Sequence, residues 1–408
     1  MSINKISLKS GKILEFPCMF INLKNNSEAE ILRIIEARYP QNTNHNGINN
    51  IEGLSVSIKD WQDISKYFSM GYIINEPQYR LKDRVLIIDP SLYILFSGTE
   101  NDKTSLLSTI SQSFDIQKVV TGISNMPQKN KSNQNIDELY PLLDTKFIRM
   151  LLEYQIKNHG DIIISPSTPI TSLNRIEEQI EKSKEMNRIS KILFDTVFSA
   201  VKDERDLMHV LSLRLSALKS NYIEELKEAV LINNPDQIGI RIMGLDEGNT
   251  SQIWSLLNFI QELSQSNKPI HIFNVREFGY VTYCYGAKSI TTPIASDPYF
   301  VRAISNEPVP RRGAFYHPKD MTDDSYDILL AKTRSNNYTF PCYCEICERF
   351  GKIMSVNKPD WNEFRRIHFL LVKNMEIKEL KTVKVSIKEA LKDKFARSQQ
   401  TTWLPYLD

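Results

Sequence analysis

Apolar residues recur along this chain in two rhythms. Short β-branched runs at Arg84–Asp89, Asp161–Ser165, Ile238–Met243, Pro269–Val275 and Ser289–Ile294 have the length and composition of buried strands. Stretches with a helical rhythm stand beside them: Phe147–Lys157 before the second run, Ser251–Leu263 before the fourth, and Arg276–Tyr285 between the last two. Strand and helix alternating in this way predict a parallel sheet in an α/β fold, either closed as a (β/α)8 barrel or open and doubly wound.

The flanking segments read differently. Lys5–Phe20 alternates around Ser10 and Gly11 as a short hairpin leading to Pro17. A helix is expected from Ser27, with Ser27 and Glu30 as a capping box and Ile31, Ile34 and Ile35 as its apolar face. The Asn-rich stretch Gln41–Asn50 reads as a loop. Leu173–Leu231, dense in helix formers and charge, predicts extra helices inserted between the strands. Ser305–Asn337 has the composition of a long functional loop, and Lys358–Asp408 is amphipathic and helical through Trp361, Phe364, Ile367 and Leu371.

Charge narrows the function classes. Fifty-one Lys and Arg against 49 Asp and Glu leave a formal charge of +2, so a nucleic-acid surface has to come from local clustering, and a histone-like binder is excluded. No apolar run reaches the roughly 18 residues that cross a bilayer. The first residues alternate Lys with apolar positions and lack a signal peptide's apolar block, so a cytoplasmic protein with no membrane partner is expected.

Three of the five cysteines, Cys342, Cys344 and Cys347, form a C-x-C-x-x-C cluster, which suits one metal ion better than a disulfide framework. His368, downstream on an apolar helix pattern, is the expected fourth ligand. A Cys3His set leaves no open coordination position, so the expected cofactor is a structural Zn2+. Cys18 and Cys284 sit in apolar contexts and are expected to be buried small hydrophobes.

The cysteine cluster and its distant histidine, C-terminal to a β/α alternation, resemble the tRNA-guanine transglycosylases. Ser10-Gly11-Lys12-Ile13-Leu14-Glu15-Phe16-Pro17-Cys18-Met19-Phe20 is similar to that family's opening G-x-I-x-T-P-x-F-M. Leu86-Ile87-Ile88-Asp89-Pro90-Ser91-Leu92-Tyr93 resembles its T-D-S-G-G-Y-Q, with Asp89 and Tyr93 in register and Ser91 and Leu92 in place of the glycines. Ile242-Met243-Gly244-Leu245-Asp246-Glu247-Gly248 resembles G-G-L-A-V-G-E. The base-reading F-D-E-C-T-P is replaced by Ser165-Pro166-Ser167-Thr168-Pro169. With both motifs altered, the pattern looks most like the DpdA-type branch, the 7-deazaguanine DNA transglycosylases.

The resemblance implies a (β/α)8 barrel over residues 1–335, with an N-terminal hairpin and helical insertions, and a zinc-binding, helical C-terminal subdomain over 336–408. It implies exchange of guanine in DNA for a 7-deazaguanine such as 7-cyano-7-deazaguanine through a covalent glycosyl-enzyme intermediate. A tRNA-acting enzyme and a catalytically silent nucleic-acid-binding paralogue are the alternatives.

Base exchange at one sugar needs a nucleophile and an acid/base, and two carboxylates suffice. Asp89 ends a strongly apolar strand, where barrel chemistry is placed, and matches the acid/base position. Asp297, just beyond Ser289–Ile294, is the nucleophile in this reading, with Asp246 and Asp327 as rivals. Ser91 and Tyr93 are expected to flank the base. Ser167, Gly244, Leu245 and Asp246 are expected to line its pocket, with Arg214 a further candidate. Arg311, Arg312 and Lys319, beside Phe315 and Tyr316, form the expected nucleic-acid surface, which Arg365 and Arg366 would extend. The expected partners are DNA, or tRNA in the alternative, the 7-deazaguanine base, and a homodimer mate or accessory DNA-modification proteins.

Overall fold

The computed structural model describes residues 5–38, 48–65, 84–97, 106, 108, 140–219, 221–243, 250–294, 315–319, 321–324, 329, 331, 342, 344–350, 361–398 and 401–408. Thirteen strands are described: β1 (Lys5–Ser7), β2 (Ile13–Glu15), β3 (Cys18–Leu23), β4 (Ile51–Ser57), β5 (Val85–Asp89), β6 (Ile162–Ile164), β7 (Pro169–Ile170), β8 (Asp206–Arg214), β9 (Gln237–Met243), β10 (Ile270–Phe273), β11 (Ser289–Pro293), β12 (Phe315–His317) and β13 (Thr322–Asp324). Eight of them, β3, β4, β5, β6, β8, β9, β10 and β11, pair in parallel in that order. β11 returns beside β3 and closes a (β/α)8 barrel. The two-residue β7 adds alongside the end of β8.

Alternation along each strand builds two apolar layers. Met19 and Ile21, Leu54 and Val56, Leu86 and Ile88, and Ile238, Ile240 and Ile242 join the shell between barrel and helices. Cys18, Phe20, Val85, Ile87, Ile162, Ile164, Met208, Val210 and Phe273 form a separate cluster in the lumen. Each buried Ile, Val or Phe contributes roughly 1.5–3 kcal/mol, so the lumen is packed core and not a channel. Phe20 fits because β4 carries Gly53 opposite it, where a Cβ would meet the ring at 2.0 Å.

The N-terminal hairpin closes the bottom of the barrel. Leu8 and Leu14 pack into the lumen cluster. Lys12 Nζ donates to the Arg84 carbonyl at 2.8 Å and to Asp161 Oδ2 at 2.7 Å, while the Lys9 amide donates to Asp206 Oδ1 at 3.2 Å. All three acceptors stand at strand N-termini. The opposite, C-terminal end remains for a site.

Several expectations change. The charge-rich stretch read as inserted helices contains β8, a nine-residue strand in which Asp206, His209, Ser212 and Arg214 break up the apolar run. β3 begins within the segment read as part of the hairpin, and β4 begins directly after the Asn-rich stretch. The first helix is Asn26–Arg38, and its cap lies two residues before the expected one. Asn25 Oδ1 accepts from the Glu28 amide at 3.0 Å, and Glu28 Oε2 accepts from the Lys24 amide at 2.8 Å. No helix among the described residues is long and apolar enough to cross a membrane.

The C-terminal helix Trp361–Thr382 packs on the barrel's outer helices. Its Lys373, fully buried, lies between Glu277 (3.1 Å) of the barrel helix Glu277–Cys284 and its own Glu376 (2.9 Å). Glu376 also accepts from the hydroxyls of Tyr280 (2.7 Å) and Tyr316 (3.0 Å). Burial works against charge on Glu376, but Lys373 and Lys394 outweigh it and hold the carboxyl at about 2.

Candidate active site and metal centre

Every residue of β5 is buried, and alternation turns Val85, Ile87 and Asp89 inward. Asp89 is the last of them, at the C-terminal mouth. On β9 the same alternation turns Gly239 and Arg241 into the lumen, opposite to Ile238, Ile240 and Ile242. Arg241 reaches across the barrel and its Nη2 forms an ion pair with Asp89 Oδ2; the two side chains are 3% and 8% exposed. Its Nη1 donates to Ser212 Oγ of β8 at 3.2 Å. The guanidinium lies 4.8 Å from the Tyr93 ring centre and 4.7 Å from that of Phe273, so two aromatic rings fix its position.

The turn after β5 completes the carboxylate's surroundings. Ser91 donates its amide to Asp89 Oδ1 at 2.8 Å and adopts φ 54°, a left-handed conformation that favours glycine. Tyr93 follows on a short helix, Tyr93–Ser97. Burial, reinforced by the nearby Asp89 charge, pushes the Tyr93 phenol upward, so it remains a protonated donor. Below the pair, His271 is hydrogen-bonded at both ring nitrogens, to Ser289 Oγ (2.6 Å) and Thr291 Oγ1. Burial, with Arg241 adding to it, lowers its pKa to about 3, so the imidazole is neutral.

Of the expected site residues, the structure brings Asp89, Ser91 and Tyr93 together. Ser167 is buried between β6 and β7, in a turn fixed by Ser165 Oγ donating to Asn187 Oδ1 at 2.7 Å. Arg214 ends β8, and Lys319 is exposed just after β12. Arg365 is buried and donates to Asn362 Oδ1 at 3.1 Å. Asp297, Gly244, Leu245, Asp246, Arg311, Arg312 and Asp327 lie outside the described residues. Sequence reasoning missed Arg241, Ser212 and His271. The available signal was a single cation within Ile238-Gly239-Ile240-Arg241-Ile242, on the face opposite to the isoleucines.

The second centre joins three elements. Cys344 and Cys347 stand at the start of the helix Glu345–Phe350, Cys342 precedes them, and His368 comes from Trp361–Thr382. All four are buried, and their ligand atoms lie within 4.8 Å of one another. His368 Nε2 meets the Tyr316 carbonyl at 2.7 Å, and Nδ1 faces Cys344 Sγ (3.2 Å) and Cys347 Sγ (3.1 Å). An Nε2–H donated to that carbonyl leaves the Nδ1 lone pair aimed at the sulfurs, the orientation a metal ligand needs. Phe315 stacks on the imidazole at 4.0 Å and 16°. Burial alone would lower His368, but the Cys342 and Cys344 sulfurs reverse this and raise it to about 10. Hydrogen bonds from Cys344 and Cys347 hold the Cys342 thiol low. Protons are thus shared within a cluster whose donor set fits a metal ion that would displace them.

Cys18 is buried at the bottom of the barrel, and its thiol donates to Glu52 Oε2 at 2.9 Å, so its setting is less apolar than expected. Cys284 is half-buried, and burial raises its thiol to about 12. No known protein-family model matches the chain, and no curated protein matches it.

Proposed function

We propose that this chain is a nucleic-acid guanine transglycosylase that exchanges guanine in DNA for a 7-deazaguanine, with 7-cyano-7-deazaguanine as the incoming base. The observation that carries the reading is Asp89. It is an inward carboxylate at the C-terminal end of the third barrel strand, followed by a residue, Ser91, whose φ of 54° suits the glycine found there in the resembling motif. The Cys3His cluster, on a helix packed against the same barrel, supports it.

In this reading Asp297 attacks C1′ of the target nucleotide. Its carboxylate oxygen bonds to C1′ as the C1′–N9 bond breaks, and guanine leaves with a proton donated by the Asp89 carboxyl, which becomes a carboxylate. Asp89 then takes the N9 proton of the incoming base, whose nitrogen attacks C1′ and releases the Asp297 carboxylate. Among the described residues each Asp89 oxygen accepts one hydrogen bond, which leaves a lone pair for this proton. Tyr93 and Phe273 supply aromatic surface around the Arg241 guanidinium that pairs with the carboxylate. The residues assigned to the base in this reading are Ser167, Gly244, Leu245 and Asp246, and those assigned to phosphates are Arg311, Arg312 and Lys319. A Zn2+ held by Cys342, Cys344, Cys347 and His368 is structural: with four protein ligands it has no position for substrate. The enzyme works in the cytoplasm.

The test is transfer of labelled guanine and labelled 7-cyano-7-deazaguanine into duplex DNA, single-stranded DNA and unmodified tRNA, with Asp89→Ala alongside. Label entering DNA, and lost in Asp89→Ala, supports the reading. Label entering only tRNA moves the substrate to RNA, and label entering none of the three overturns base exchange.

A further inference from the structure

We infer that Arg214 binds a backbone phosphate beside the target nucleotide, from a position one layer nearer the barrel mouth than Asp89. The anion site rests on the barrel; that the phosphate belongs to DNA rests on the transglycosylase reading.

The strand places the cation. β8 turns Met208 and Val210 into the lumen and Leu207, Leu211 and Leu213 toward the helices, so Ser212 and Arg214 share the inward face. Ser212 meets Arg241, which in turn holds Asp89. Arg214 stands two residues further along, about 6–7 Å closer to the C-terminal mouth. It ends the strand half-buried, and so is open to a ligand in a way that the 3% exposed Arg241 side chain is not.

What sets Arg214 apart is the lack of a counter-charge. Arg241 is balanced by Asp89, whereas Arg214 makes no hydrogen bond or ion pair among the described residues, and its Nε is closed off from water. The adjacent strands account for this. Across the ladder on β9 its neighbour is the buried Met243, and on the other side β7 sets Pro169 and the buried Ile170 against Ser212 and Leu213. Neither strand offers a carboxylate. A guanidinium flanked by apolar side chains and lacking an acceptor is unfavourable until an anion reaches it. A neutral base would bring an acceptor and leave the charge unbalanced. A phosphate brings both, and its oxygens match the planar donor fork.

The position agrees with the chemistry proposed above. With Asp89 acting at N9, the sugar lies on the mouth side of the carboxylate, because the charged backbone stays in water while the base enters the barrel. The phosphates flank that sugar, at the level where Arg214 stands. Arg214 thereby serves the backbone and not the base, and it fixes the nucleotide whose C1′ is attacked.

The experiment measures binding of the full chain to a short single-stranded oligodeoxynucleotide carrying one guanine, and to the same strand with an uncharged methylphosphonate at the linkage 5′ or 3′ to that guanine. For the wild type, one of the two replacements is expected to weaken binding about tenfold or more, as loss of a charge-assisted hydrogen bond does. Arg214→Gln is expected to weaken the unmodified strand by a similar factor and to be indifferent to that replacement. Its dependence of log affinity on log salt is expected to be shallower by about 0.7, the share of one phosphate on a single strand. Arg214→Lys keeps the charge and is expected to keep the slope. Wild-type binding that neither replacement weakens overturns the inference without any variant, as does an Arg214→Gln protein that responds to both replacements as the wild type does. Transfer of labelled guanine into DNA by the wild type separates the two readings. Transfer without coupling between Arg214 and either phosphate sinks this inference alone. Coupling without transfer leaves the phosphate site standing and sinks base exchange, and the absence of both sinks both.

Discussion

Arg241 on the sixth barrel strand crosses the lumen to pair with Asp89 on the third, and both side chains are almost wholly removed from solvent. Neither charge would be tolerated there alone. The pairing fixes the carboxylate at the one end of the barrel that the N-terminal hairpin leaves uncovered, with Ser91 and Ser212 taking up the next hydrogen bonds.

Removing one partner strands the other. Asp89→Ala is expected to destabilise the fold by about 3–5 kcal/mol, because the Arg241 guanidinium remains buried without a counter-charge. The double variant Asp89→Asn with Arg241→Met, which removes both charges, is expected to recover much of that loss. Urea unfolding of the three proteins checks it. A loss below about 1 kcal/mol in Asp89→Ala would mean the pair is exposed to water in solution.

Ser91 holds a left-handed backbone conformation that a side chain disfavours. Ser91→Gly is expected to be neutral or to stabilise by up to about 1 kcal/mol, and Ser91→Val to destabilise by more than that. Thermal melting of the two variants settles the order. A Gly variant as unstable as the Val variant would show that the hydroxyl, 3.3 Å from the Asp89 carbonyl, outweighs the backbone term.

How much of this could be read from the sequence depends on how local each feature is. β5, β9, β10 and β11 were legible because their apolar runs are dense and bounded by turn residues. β8 was not, since the long charged helix Ile176–Thr196 before it and the polar His209, Ser212 and Arg214 within it mask the strand rhythm. The Cys3His cluster was legible because Cys342, Cys344 and Cys347 fall within six residues, leaving His368 as a single distant choice. Asp89 could be found from its place at a strand end. Its partner could not, because Arg241 lies 152 residues away and only barrel closure brings the two together.

The Cys3His cluster makes a sharper prediction through Tyr316, which touches it by its backbone and Glu376 by its hydroxyl. With a metal ion in the cluster, as proposed, Cys344→Ser is expected to release it and to lower the melting temperature, as prolonged chelation would. Tyr316→Phe removes only the hydroxyl, so it is expected to cost about 1–3 kcal/mol with the metal content intact. Elemental analysis beside unfolding curves distinguishes them. Metal loss in Tyr316→Phe would show that the two networks are coupled through the ring and not through the backbone alone.

His271 gives the fold an acid-sensitive term. Its pKa is about 3 in the folded barrel against 6.5 for a free imidazole, so between these values the unfolded chain binds the proton and the native one does not. The contribution is therefore fully present above pH 6.5 and is lost as pH falls toward 3, at a limiting slope of about 1.4 kcal/mol per pH unit. His209, also lowered to about 3 by burial, adds a second term of the same sign. Buried carboxyls such as Glu52 and Asp206, raised by desolvation, work in the opposite direction, so the wild-type curve alone does not isolate either histidine. The difference between wild type and His271→Asn does. Urea unfolding of both at pH 7, 6, 5 and 4 is expected to show the wild type losing stability faster than the variant below pH 6.5. Parallel curves would mean that His271 takes up its proton in the native state as readily as in the unfolded one, and that the Ser289 and Thr291 hydroxyls stabilise the imidazolium in the barrel.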